Sequence, residues 1–149
     1  MNQTASFLAA LARHREAFNT VEQYAEQAQT LLAAVVTCLR AGGKVVWMGN
    51  GGSAADSQHL AAEFMVRYKA ERGPLASIAL TTDTSILTAH ANDYHFETVF
   101  ERQVRGLVRP GDVVIGLTTS GKSPNINLAL AAANELGAVT VAFTGRDGG

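Results

Sequence analysis

The sequence predicts an α/β fold: a parallel, doubly wound sheet with helices on both faces, behind a set of leading helices. Three observations predict it. Strand-like and helix-like segments alternate from residue 44 onward, the pattern of a chain that crosses over between parallel strands. The strand segments are unbroken apolar runs rather than alternating ones, which suits strands covered on both faces. Two of them feed directly into glycine- and hydroxyl-rich loops that open helices, the arrangement by which α/β proteins hold anions.

The leading helices span residues 3–41. Phe7, Leu8, Leu11 and Phe18 mark one apolar stripe, which Val21, Tyr24, Ala28, Leu31, Leu32, Val35 and Leu39 continue at helical spacing. Thr20 followed by Gln23 reads as a capping box where a helix restarts, and Gly42-Gly43 ends it. The stripe can pack against the domain or against another subunit. Strands are predicted at 44–48, 76–81, 113–117 and 138–143, and helices at about 53–69, 84–91, 96–107 and 124–136. Arg109-Pro110-Gly111-Asp112 turns the chain into the third strand. No repeat, low-complexity tract or linker interrupts this pattern, so the 149 residues read as one domain.

Composition excludes several classes. With 47% hydrophobic and 17% charged residues the chain is not intrinsically disordered. A net charge of -1 gives no global basic footprint for nucleic acid. Cys38, the single cysteine, rules out an internal disulfide and a cysteine metal cluster. The N-terminus lacks the basic and apolar regions of a signal peptide, and no window approaches a membrane span. These features predict a soluble, cytoplasmic protein with no membrane or nucleic-acid partner.

The first loop, Gly49-Asn50-Gly51-Gly52-Ser53, offers glycine backbone and the donors of a helix start. Ser53 is the expected N-cap, with Asp56 a weaker box partner. In the helix that follows, Asp56, His59, Glu63 and Arg67 are spaced by three, four and four, which places them on one face. That face is either a solvated stripe or the wall of a site. The His59–Glu63 pair suits a metal such as zinc, although two ligands do not close a site. The second loop carries Thr118, Thr119, Ser120 and Ser123 in six residues. Pro124 falls at the first helical position, making Ser123 the N-cap, and Lys122 either adds charge or points to water. Neither loop has a P-loop or dinucleotide fingerprint. Together they predict one phosphorylated small molecule held between them. Asp83 is expected to cap a helix and Asn92-Asp93 to end one, while His14, His90 and His95 read as ordinary surface or packing histidines.

Taken together, these segments resemble the sugar isomerase (SIS) domain family, and within it the phosphoheptose isomerases. The resemblance rests on Gly49–Asp56, Gln58-His59, Glu63, Arg67-Tyr68, Ala79–Asp83, Asn92-Asp93-Tyr94, Arg102-Gln103-Val104, Gly111-Asp112-Val113, Thr119–Asn125 and Phe143-Thr144-Gly145. It covers residues 42–149 in order; the leading helices match only in kind. It implies a parallel three-layer α/β/α sandwich, Rossmann-like, assembled as a homotetramer with sites between subunits. It implies interconversion of sedoheptulose 7-phosphate and D-glycero-D-manno-heptose 7-phosphate, on the route to lipopolysaccharide core heptose. Glu63 is then the isomerisation base and, with His59, a zinc ligand. Asn50, Gly51, Gly52, Ser53, Thr118, Thr119, Ser120 and Ser123 match phosphate or sugar contacts. Asn92 and Asp93 match the family's polar site pair, and Arg67 an arginine that reaches a neighbouring subunit. Thr118 departs from a serine common in the family but keeps the hydroxyl. The resemblance also implies a segment beyond Gly149, carrying a glutamine and a histidine that complete the zinc site and supply an acid–base partner. The chain accordingly reads as cut short at Arg146-Asp147-Gly148-Gly149, and these 149 residues alone as binding without turnover. The rival reading is a non-catalytic SIS module binding sugar phosphates or proteins, of the kind that associates with a replication initiator. Glu63, absent from that relative, favours the enzyme. The His59–Glu63 pair speaks against a third reading, an amino-sugar phosphate isomerase or etherase.

Overall fold

The computed structural model describes residues 3–145 and 147–149. Met1 and Asn2, part of the N-terminus read above, and Arg146 of the terminal segment lie outside the described residues. The chain divides into two compact units, Met1–Ala33 and Ala34–Gly149.

The first unit holds α1 (Gln3–Asn19), a 3-10 turn at Val21–Tyr24 and the first part of α2 (Ala25–Arg40). The predicted restart is present, but the capping box at Thr20 is not. Thr20 is already helical and makes no cap bond; its hydroxyl donates back to Ala17 O at 2.7 Å. The last turn of α1 thus takes the hydroxyl that the next helix was expected to use. No residue of α1 is buried, and Phe7, Phe18, Tyr24 and Leu32 are all exposed.

The second unit begins with the end of α2, which Gly42 and Gly43 close by donating to Leu39 O and Cys38 O, a paired C-cap. Then follow β1 (Val45–Gly49), α3 (Gly52–Met65), β2 (Ser77–Ala79), α4 (Thr84–Asp93), α5 (Val99–Leu107), β3 (Val113–Thr118), α6 (Pro124–Glu135) and β4 (Val139–Thr144). A 3-10 turn at Phe96–Thr98 splits the predicted helix 96–107, because Thr98 turns its hydroxyl onto His95 O. The four strands form one parallel sheet in the order β2-β1-β3-β4. Alternate residues of β1 face opposite ways. Val46 and Met48 join Val114, Phe100, Val104, Ile126 and Ala129 in the core under α5 and α6, while Trp47 meets Phe64 of α3 edge-on. This is the expected α/β/α sandwich. No helix among the described residues is long and apolar enough to cross a membrane.

The amino ends of β1 and β3 are held by one buried carboxylate. Asp112, 2% exposed, accepts from Lys44 Nζ at 2.5 Å, Lys44 N at 2.9 Å and Arg109 N at 2.8 Å. Burial alone would raise its pKa. The Lys44 ammonium and the two backbone donors outweigh that and hold the carboxyl below its ordinary value. This clasp lies at the end of the sheet opposite the two loops and leaves the carboxyl ends free for chemistry.

Candidate active site

The strand order makes the site legible. After β1 the chain builds β2 on one side, then crosses to β3 on the other. The crevice between β1 and β3 is therefore the topological switch point, where open α/β sheets bind ligands. Gly49 pairs with Leu117 across that crevice, so the two loops leave the sheet side by side.

The first loop turns at Gly51, whose φ of 56° places it in the left-handed region that favours glycine. A Cβ on Gly49 would lie 2.5 Å from Ser53 O, so glycine there lets the helix start sit directly on the strand end. Gly51, not Ser53, occupies the cap position, and α3 begins one residue earlier than predicted. The tight turn at Gly51 carries Ser53 into the helix, where it is half-buried. Ser57, fully buried, donates to Ser53 O at 2.8 Å and packs the turn beneath the loop. Asn50 turns its amide to Asn125 at the start of α6.

The α3 face is shorter than predicted. The helix ends at Met65, and Arg67 lies beyond it, exposed and 3.5 Å from Glu71. The reason is a second claim on the last carbonyls. Arg72 donates to Glu63 O at 2.6 Å and Phe64 O at 2.8 Å, and Leu75 N donates to Phe64 O. Arg67 therefore does not share the face of Asp56, His59 and Glu63.

Those three remain aligned. His59 Nε2 stands 3.7 Å from Glu63 Oε1, with His59 largely exposed and Glu63 28% exposed. Glu63 Oε2 is buried and has no hydrogen-bond partner. A buried acceptor left unpaired costs about 1–3 kcal/mol, more when charged, so the fold gains no stability from this oxygen. An imidazole beside a carboxylate with an unpaired oxygen is a fitting pair of metal donors. Among the described residues no cluster of three or more His, Cys, Asp or Glu side chains could hold a metal, so these two groups alone do not close a metal site. A shallow, open depression of about 340 Å³ lies against this face, lined by Asp56, His59, Leu60, Leu117 and Phe143.

The second loop supplies the hydroxyls. Ser123 caps α6 with Pro124 at the first helical position, as predicted; its carbonyl accepts from Ile126 N and Asn127 N, but its hydroxyl makes no cap bond. Its hydroxyl pairs instead with buried Thr118 at 3.1 Å. Ser120 accepts from Lys122 N at 3.1 Å, and Thr119 is exposed. Asp83 caps α4 by accepting from Ile86 N, as expected. Asn92 and Asp93 end that helix, exposed and bonded to each other at 2.8 Å. His90 is buried against Thr98, a packing histidine.

The model of the SIS domain matches residues 6–145. The chain belongs to the SIS domain family. Its relatives place it in the family's phosphoheptose isomerase branch. The phosphoheptose isomerase of Aquifex aeolicus is 60% identical over 129 residues, covering 87% of this chain and 68% of that protein. That of Paramagnetospirillum magneticum is 59% identical over 124 residues, covering 83% and 65%. The chain thus spans about two thirds of the length of these relatives. The solved phosphoheptose isomerase of Neisseria gonorrhoeae superposes with a TM-score of 0.84 at 44% identity, over 98% of this chain and 74% of that one. The enzyme from Francisella tularensis gives 0.85 at 36% identity, over 98% and 75%.

Within this SIS domain, two contributors escaped the sequence reading. Asn125 carried a signal: it shares the buried face of α6 with Ala129 and Ala133, four and eight residues on, an unusual place for an amide. Arg72 carried none, because its role depends on the chain folding back over the end of α3.

Proposed function

We propose that this SIS domain is the sugar-phosphate site of an aldose–ketose isomerase that interconverts sedoheptulose 7-phosphate and D-glycero-D-manno-heptose 7-phosphate. The observation that carries this reading is the buried, unpartnered Oε2 of Glu63, one turn from His59 on the helix that springs from the first loop. The names of the relatives support it. A module that only bound sugar phosphates would have no use for an acceptor held unpaired in this way.

The phosphate is read onto the hydroxyls of Thr119, Ser120 and Ser123 and the helix start at Asn125, with Thr118 aligning Ser123. The carbon chain then lies toward Asn50–Ser53 and the face of α3. Glu63 takes a proton from C1 of the ketose, the C1–H electrons form the C1–C2 double bond of an enediolate, and Glu63, its proton exchanged with solvent, delivers a proton to C2. The hydroxyl proton moves from O1 to O2, which balances the conversion of ketone to aldehyde. That second transfer needs another acid–base group, which the family resemblance puts on a histidine outside these residues. Holding the phosphate end converts binding energy into orientation of the reacting carbons. His59 and Glu63 would hold zinc, with the remaining ligands also from outside these residues. Such an ion supplies Lewis-acid polarisation of the oxygens that carry the developing charge.

A homotetramer acting in the cytoplasm, with the exposed stripe of residues 3–32 packed between subunits, completes the proposal; a stable monomer in sedimentation at micromolar concentration would remove it. The activity is tested by incubating the intact encoded protein with sedoheptulose 7-phosphate in deuterium oxide. The expected result is an aldose phosphate carrying deuterium at C2. Tight binding of the sugar phosphate without any exchange would favour the binding module instead.

A further inference from the structure

The two loops are joined by a pair of side chains that lie 75 positions apart in the sequence. Asn50 Nδ2 donates to Asn125 Oδ1 at 3.0 Å, and Asn125 Nδ2 donates to Asn50 Oδ1 at 2.8 Å. Asn125 is 3% exposed and sits on the face of α6 that is buried with Ala129 and Ala133. Asn50 stands at the exposed end of β1, followed by Gly51 and Gly52. One partner is therefore anchored in the core and the other belongs to a glycine-rich loop with high backbone freedom. A primary amide both donates and accepts in one plane, so two of them close a ring that Asp, Ser or Ala in either place would open.

We infer that the Asn50–Asn125 pair is a positioning clasp. It sets the separation of the two loops before a ligand arrives, so that a sugar phosphate spanning both finds them already placed. This rests on the reading that the two loops share one sugar phosphate. The side-chain amide of Asn50 then serves the site by holding the loop, and the ligand meets the backbone that the clasp fixes. Without the clasp the glycine loop must be ordered at the moment of binding, and that cost falls on any ligand that needs both loops. A ligand that touches only the second loop escapes it. The clasp thereby makes a distinctive prediction: its loss separates the affinity for a sugar phosphate from that for bare phosphate.

The test uses Asn50→Ala, Asn125→Ala and the double variant in the intact, metal-supplemented protein. The readouts are kcat/KM for sedoheptulose 7-phosphate and the inhibition constant of inorganic phosphate. Misplacing a site by about 1 Å costs ~10²-fold, so each single variant should lose roughly 10–100-fold in kcat/KM. The double variant should fall within about twofold of either single, because the two residues act as one unit. Phosphate inhibition should stay unchanged in Asn50→Ala, the variant confined to the first loop. Losses that multiply in the double variant, or phosphate affinity that falls in step with that for the sugar in Asn50→Ala, would overturn the clasp, as would full activity in either single. Should Asn125→Ala fail to fold, Asn50→Ala and Asn50→Ser, at the exposed partner, carry the test alone: each should lose kcat/KM for the sugar phosphate and keep the inhibition constant of phosphate, and full activity in both would overturn the clasp. If wild type shows no turnover, the isomerase reading fails by itself, and the same cycle is read by calorimetry with the two ligands. A wild type that binds sedoheptulose 7-phosphate no more tightly than phosphate overturns both.

Discussion

Glu63→Gln separates a residue kept for chemistry from one kept for the fold, and the structure sets the size of each effect. The folded state gains little from this carboxylate. Oε2 has no partner, and Oε1 faces only a largely exposed imidazole at 3.7 Å, an ion pair of the class worth about 0–1 kcal/mol. The amide has the same shape, so the thermal midpoint should move by no more than about 2–4 °C. The catalytic loss is far larger. Removing a general base costs ~10²–10⁴-fold, or about 3–5 kcal/mol of transition-state stabilisation. Since the lost interaction belongs to the proton in flight, kcat should collapse while calorimetric affinity for sedoheptulose 7-phosphate persists. The assay is steady-state turnover of the intact protein, beside calorimetry and a thermal melt on the same preparation. Turnover within tenfold of wild type would refute the reasoning, and so would a fall in melting temperature large enough to account for the lost activity.

Ser120→Ala should weaken binding of the sugar phosphate by roughly 1–3 kcal/mol, the cost of leaving the charged phosphate short of one hydrogen bond, and Ser53→Ala, at a residue that faces the neutral carbon chain, by about 0.5–1.5 kcal/mol; unchanged calorimetric affinity in both would remove the loops from the site. Asp112→Asn should destabilise the protein at neutral pH. Because the folded pKa of Asp112 is depressed, its charged form stabilises the fold above the unfolded pKa of about 3.9, and that contribution is lost as pH falls through the folded value. The gap in melting temperature between wild type and Asp112→Asn should therefore narrow below about pH 4; a constant gap down to the acid transition would exclude the clasp.

Local chemistry was legible in the sequence, and long-range closure was not. Strands β1 and β3, the cap at Ser123 with Pro124 behind it, and the cap at Asp83 all follow from residues within a few positions of one another, and the structure has them within a residue of where they were expected; β2 keeps only Ser77–Ala79 of the predicted 76–81, and β4, an edge strand, is largely exposed rather than covered on both faces. The misreadings share one cause, a partner distant in sequence or a competing local bond. Ser53 is a better cap by composition than Gly51, yet the close approach of Gly49 to Ser53 O pulls the helix start one residue back. Nothing between Asp56 and Arg67 breaks a helix, and periodicity ran on to about residue 69. Arg72 takes the carbonyls that would have continued it.

The same distinction explains why the candidate site could be named residue by residue but not assembled. Spacing put His59 and Glu63 one turn apart, and the structure keeps them so. Spacing could not show that the two loops flank a switch point, since that follows from the order β2-β1-β3-β4. Nor could it show that Asn125 reaches back to Asn50. The sheet brings the loops side by side, the amide pair joins them, and the carboxylate whose Oε2 has no partner stands on the helix that leaves the first loop. The fold leaves that acceptor unsatisfied while it satisfies Asp112, at the other end of the sheet, three times over. That contrast between the closed and the open end of the sheet is what carries the proposal that the chemistry sits at Glu63.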